Sequence, residues 1–446
     1  MKPKPFKFIL VFSLAFSLAC QFLTRPLSNA TEPAAAEPAA TEAPSPSPTP
    51  EDTSAPLSGL IYSIYDSETT ANAVWQFDAN NAARLLLPNH YVGMLSPDEA
   101  QVVYYDYPWG FRETPPCVSI ADVKTGNPKS LACSSGMEGD LTPTILGWDP
   151  LNPDIVLAIL KQTGGGMGGS EGYFGTISLA DGSTTILDPD HPIESGEAAV
   201  SPDGTMVAYG RGIYHLDSGY QEFDPSFYGI DKAFHAENPS WSPDGKKIAW
   251  GLVKEIEGDS VQVSLGVFDL EQKTATLILP SFSPQRIWEI ASVATPAAIW
   301  SPDGQWLAVN VETDSNDSNA PIQSGWEIVS IDGKTLRDVD GNFDSWSPDG
   351  QWFAHFDWEP GGGDGMILSV SRADGSETHA LGDIKAYSSA QWNPNMRFLA
   401  FVGRDQIIRY VEIGIWQVNE FKLENIEAQM EVGLADWIIP IEPWIK

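Results

Sequence analysis

Aromatic and acidic side chains gather in several glycine- and proline-rich stretches of this sequence, among them "DYPWGFRETPP" (106–116), "VETDSNDSNAPIQSGW" (311–326) and "DWEPGGGDG" (357–365). Tyr107, Trp109, Phe111, Trp288, Trp326 and Trp358 offer flat apolar faces with polar edges, and Asp314, Asp357 and Glu359 set carboxylates beside them. Rings among polar groups suit contacts with proteins or sugars. The same rings serve equally well as packing beneath their own loops. Carboxylates held about 5–10 Å apart would instead permit glycosidic bond cleavage, a spacing that sequence does not reveal.

Other motifs carry less. "DSNDSN" at 314–319 alternates oxygen ligands as a calcium loop does, but lacks the glycine and the final glutamate. The six histidines (90, 191, 215, 235, 355 and 379) show no metal-binding spacing, and His355 reads as a packing residue. "GGSEG" at 168–172 has the G-x-S-x-G form of a nucleophile elbow, which requires a strand, a sharp turn and a helix. Here it falls in a glycine-rich loop. No catalytic residue, metal or cofactor is assigned.

The formal charge is −35, from 25 basic and 60 acidic residues. Phosphate binding needs clustered Lys and Arg, so nucleic acid is excluded as a partner. The balance suits a soluble surface, a basic partner or cations.

The first twenty residues read "MKPKPFKFILVFSLAFSLAC". Three lysines precede an apolar run of twelve residues from Phe8 to Ala19, the pattern of an export signal over 1–19. "SLAC" at 17–20 resembles the lipobox of bacterial lipoproteins, which implies that Cys20 carries lipid and anchors the chain to a membrane on its extracytoplasmic side. Ser17 stands where that box usually has leucine, and cleavage after "SNA" at Ala30 is the alternative, giving a secreted protein. Residues 20–56 hold the lipidated cysteine and a segment rich in Pro, Ala and Thr that has almost no apolar bulk. Fully extended, this stalk would reach about 110 Å.

The rest of the chain, 57–446, must position the chemistry, and a repeat shows how. "WSPDGQW" occurs at 300–306 and again at 346–352. Related copies begin at Ser96, Ser201 and Ser242, and decayed ones at Asp149 and Asn393. Proline, aspartate and glycine suit successive positions of a tight hairpin turn. A short apolar strand precedes each turn, an alternating strand follows, and two further strands complete the unit. A period near 50 residues means units too small to bury their own faces alone. Four-stranded antiparallel units in radial array make a β-propeller. The strand, "SPDG", strand, "D-x-x-G" pattern resembles the WD40-like repeat of TolB- and Tricorn-type propellers over roughly 57–440. That resemblance implies an all-β propeller that serves as a scaffold for contacts in the cell envelope.

Residues 58–88 read as three strands without the first, and "VGLADWIIP" at 432–440 as a lone first strand that completes them. Eight blades follow, or seven if one decayed copy is not a full blade. Cys117 and Cys133 flank the turn "KTGNP" and are expected to face each other as a cross-strand disulfide, with two unpaired thiols as the alternative. The "SPDG" turns share one end of the propeller, and the long loops the other. Function concentrates on loops held by a rigid scaffold. The expected protein is a monomer that docks a cell-envelope or extracellular protein, peptide or glycan on its long-loop face. The alternative is a polysaccharide-active enzyme using carboxylates in the propeller mouth.

Overall fold

A computed structural model describes residues 55–437, apart from the segments 67–70, 89–93, 99, 107–116, 123–127, 134–140, 163–171, 194–197, 257–259, 280–284, 287–296, 314–322, 340, 359–365, 385–388 and 425–429. The leader, Cys20 and the stalk therefore lie outside the described residues. What is described forms eight antiparallel sheets, seven of four strands and one of five. Both decayed repeat copies carry a complete sheet: Leu141–Trp148 opens the third and Gln391–Trp392 the eighth.

The first sheet is composite. Leu60–Asp66, Ala71–Phe77 and Ala83–Pro88 form a meander, and Met430–Trp437 pairs with its first strand from Leu60↔Trp437 to Asp66↔Met430. The closing strand read from the sequence thus pairs where expected. Only the fifth sheet departs from four strands, because Gln285–Arg286 adds to its third strand, Ser260–Asp269.

The repeat has a hydrogen-bond explanation. In five copies the serine hydroxyl (96, 201, 242, 301, 347) donates to the aspartate two residues on at 2.5–2.7 Å. The same oxygen accepts the backbone N–H five residues on, at 2.9–3.0 Å. The aspartate accepts the N–H two residues after itself. The glycines at 204, 245, 304 and 350 stand at φ between +68° and +74°, where a side chain is disfavoured. At Gly350 an added Cβ would also meet Asp303 of the preceding turn at 2.6 Å. These aspartates are turn residues, as their motif predicts.

The tryptophan ahead of the turn ties one sheet to the next. Trp148, Trp241, Trp300 and Trp346 each donate the indole N–H to a carbonyl on the first strand of the preceding sheet: Met94, Ala199, Ser240 and Ile299. Each acceptor sits one residue before the tryptophan position of its own sheet, so the contact repeats with the same register. Trp392 breaks the rule by donating to the Ser345 hydroxyl. A large ring with one satisfied donor suits a wedge between two apolar faces.

Burial follows the same logic. Separate apolar clusters lie between sheets two and three, three and four, four and five, five and six, six and seven, and seven and eight. Another joins the eighth sheet to the first, through Phe398 and Ala400 against Tyr62 and Phe77. Each sheet is therefore buried by its neighbours rather than by one central core, as a β-propeller requires.

Candidate functional site

Antiparallel order puts the connections between second and third strands, and those from one sheet to the next, at the end opposite the "SPDG" turns. The sequence-derived residues at that end fare unequally. Tyr107, Trp109, Phe111, Trp288, Asp314 and Glu359 lie outside the described residues. Trp358 closes the strand Trp352–Trp358, but its side chain is not described.

Trp326 corrects its assignment to an exposed face. It is 9% exposed, in the cluster between the sixth and seventh sheets, with its ring centroid 5.3 Å from that of Phe343. It lies within Gln323–Ser330, where Trp326 and Ile328 share one buried face. The expected loop at 311–326 shrinks because strands Trp306–Thr313 and Gln323–Ser330 pair along their whole length. Likewise 253–262 is mostly hairpin, since pairing runs to Ile256↔Ser260. Of the rings in the 224–239 connection, Phe227 is 76% exposed, whereas Tyr228 packs on Phe223 and Phe268.

Asp357 lies at the long-loop end of the seventh sheet, with Oδ1 3.9 Å from Nδ1 of His355. His355 is buried, and its Nε2 meets the Ser371 hydroxyl at 2.9 Å, which meets Thr378 at 2.8 Å. This chain crosses three strands inside the sheet. It is packing, as the sequence reading of His355 expected.

The best-defined polar cluster at this end was missed in the sequence. Asp188 is buried in the connection from the third to the fourth sheet. Its Oδ2 accepts the Tyr209 hydroxyl at 2.5 Å, and both its oxygens lie near Nδ1 of His191, at 2.9 and 3.1 Å. An ionised carboxylate only accepts, so Nδ1 carries the proton and a neutral imidazole keeps a lone pair on Nε2. The His191 side chain is 46% exposed, and its ring stacks on Tyr220 with centroids 3.7 Å apart. Burial, and then the hydrogen bond to Asp188, pushes the Tyr209 hydroxyl far up. Burial, then the Asp188 charge, pushes Tyr220 to about 12. The tyrosines therefore stay protonated at neutral pH, and the cluster offers an oriented imidazole beside an aromatic face. The only sequence signal was "DPDHP", an Asp three residues before a His, which is too common to single out.

Cys117 is disulfide-bonded and stands directly opposite Cys133 in the second sheet. Residues 168–171 of "GGSEG" lie outside the described residues, and its last residue opens the strand Gly172–Ser178, which pairs antiparallel with Ile155–Gln162, where an elbow would require a helix. Among the described residues no group of three or more His, Cys, Asp or Glu could hold a metal ion. The "DSNDSN" segment lies outside them.

No family model matches the sequence, and no curated protein matches it. Solved structures do. An oligogalacturonate lyase in complex with manganese is 13% identical, covers 74% of this chain and 88% of its own, and has a TM-score of 0.44. TolB from Acinetobacter baumannii is 12% identical over 82% of this chain and 79% of its own, with a TM-score of 0.34. The β-propeller domain of the Trilobed protease from Pyrococcus furiosus is 14% identical over 64% of this chain and 86% of its own, with a TM-score of 0.36. At such identities the likeness is one of fold: this chain resembles β-propellers that serve different functions.

Proposed function

We propose that this chain is an exported, membrane-tethered propeller of eight blades that binds a protein, peptide or glycan on its long-loop face. The observation that carries this reading is the inequality of the two ends. One end repeats the same turn, tied by the same hydrogen bonds. The other carries connections of different lengths and compositions on a rigid sheet framework, the usual place for binding residues. The imidazole of His191 beside Tyr220 supplies a polar and aromatic contact at that end. The disulfide at Cys117 fits an oxidising compartment outside the cytoplasm. Lipid on Cys20 and the proline-rich stalk would hold the propeller away from the membrane.

The test is retention from native cell envelopes by the parent protein, by a Trp109→Ala, Trp358→Ala variant and by a turn-end Gln305→Ala control. One protein or polymer kept by the parent and the control but lost by the loop variant supports the reading. The same material kept by all three sinks it. Retained glycan that gains reducing ends would shift the assignment to a polysaccharide-active enzyme. Palmitate labelling of the parent but not of Cys20→Ser tests the anchor, and processing after Ala30 would replace it with secretion.

A further inference from the structure

The fourth sheet is the most stunted of the eight. Its strands hold three or four residues each, against ten in each of the two middle strands of the fifth. A cleft of about 420 Å³ stays open between these two sheets, reaching from the turn residues Asp244 and Lys246 to Phe223 and Tyr228 in the connection between the sheets. That volume lies in the range of small-molecule sites. Met206, Ile213 and Phe223 form apolar walls on the fourth-sheet side, and Tyr228 and Leu270 continue them against the fifth.

The rim is charged, and most of it is committed. Asp244 accepts from Ser242 and from the Lys246 backbone in its own turn. Lys246 pairs with Glu271 at 3.4 Å. Two rim charges stand outside any ion pair among the described residues, one on each wall: Glu222, which ends the fourth sheet, and Lys273, in a turn of the fifth. Lys273 has φ +55°. Gly182 holds the matching place in the third sheet, with the same backbone bond to the residue four before it. A lysine there gives up backbone ease. What it gains is an ammonium 5.7 Å from the Tyr228 ring centroid, within the lining of the cleft.

We propose that this cleft binds dipeptide-sized apolar peptides that carry both a free amine and a free carboxylate. Glu222 takes the ammonium, Lys273 takes the carboxylate, and the apolar side chains lie on Met206, Ile213 and Phe223. One charge of each sign outside any ion pair among the described residues, one on each wall of a cleft whose polar lining surrounds Met206, Ile213 and Phe223, complements a zwitterion and neither a simple anion nor a simple cation. The cleft is lined by residues of both sheets, and the proposal uses neither the His191–Tyr220 contact nor the binding role assigned to the long-loop face.

Calorimetry on the purified protein tests this with Leu-Phe, N-acetyl-Leu-Phe and Leu-Phe-amide. The free dipeptide should bind about fivefold tighter than either capped form, the range expected of solvent-exposed ion pairs. Lys273→Gly, which installs the residue the turn prefers, should erase the penalty of the amide and leave that of the acetyl. Glu222→Gln should do the reverse. Thermal melts like the parent's would show that both variants are folded. Absence of dipeptide binding at millimolar concentration overturns the proposal. So does equal binding of all three ligands by the parent, or an identical change of both preferences in the two variants.

Discussion

The turn end and the long-loop end of this propeller obey different rules. At the turn end, five serines make the same two hydrogen bonds and four tryptophans reach the same carbonyl position of the preceding sheet. Among the described residues at the other end no such contact recurs: the Asp188–His191–Tyr209 cluster occurs once, and so does the exposed Phe227. Repetition marks what every sheet needs for packing. Singularity marks what the fold does not require, and there a ligand has room to act.

Substitutions can sharpen or break that contrast. Trp300→Ala should have the largest effect, because the ring is 2% exposed between two sheets and its indole bond to Ser240 is lost. A loss of about 3–5 kcal/mol in urea unfolding is expected. Phe227→Ala, at a ring 76% exposed at the loop end, should stay within about 0.5 kcal/mol of the parent. Comparable losses from both would mean that the two ends are not energetically distinct.

Next comes Asp344, on the first strand of the seventh sheet, Asn342–Trp346. Burial pushes its carboxyl up to about 6, against hydrogen bonds from the Ala390 N–H, Ser389 and Ser345 that pull it down. Between pH of about 4 and 6 the folded state therefore holds the proton more tightly than the unfolded chain. Stability falls as pH rises through that window and stays lower above it. Asp344→Asn should match the parent near pH 4 and exceed it at pH 7.5 by up to about 3 kcal/mol. Melts at the two pH values check the sign, and a variant less stable at pH 7.5 would show that the hydrogen bonds outweigh burial.

The last of the substitutions within the sheets and their turns is Ser301→Ala. It strips a buried turn of the acceptor for the Trp306 N–H and the donor to Asp303, and should cost about 1–3 kcal/mol. A neutral result would make the serine dispensable to the turn that defines the repeat.

The same contrast explains what could be read from the sequence. "SPDG" was legible because each of its residues has one local job, and the closing strand was legible because 58–88 lacked a partner. The loop end was not, because side-chain fate there depends on strand length. Trp326 looked like a loop residue, yet the pairing of Trp306–Thr313 with Gln323–Ser330 carries it into the core. The two-residue period that buries Trp326 with Ile328 was present in "GWEIVS", hidden by the polar run before it. The added strand Gln285–Arg286 has no apolar signature at all.

The composite first sheet also orders events in time. As the chain emerges, the strand Leu60–Asp66 is among the first available and its partner Met430–Trp437 among the last. Until that partner arrives, one edge of the earliest sheet stays open to the wrong neighbour. Joining the two termini of the fold requires closing its longest loop, a slow step in folding. The strand that seals the molecule is therefore also its clock.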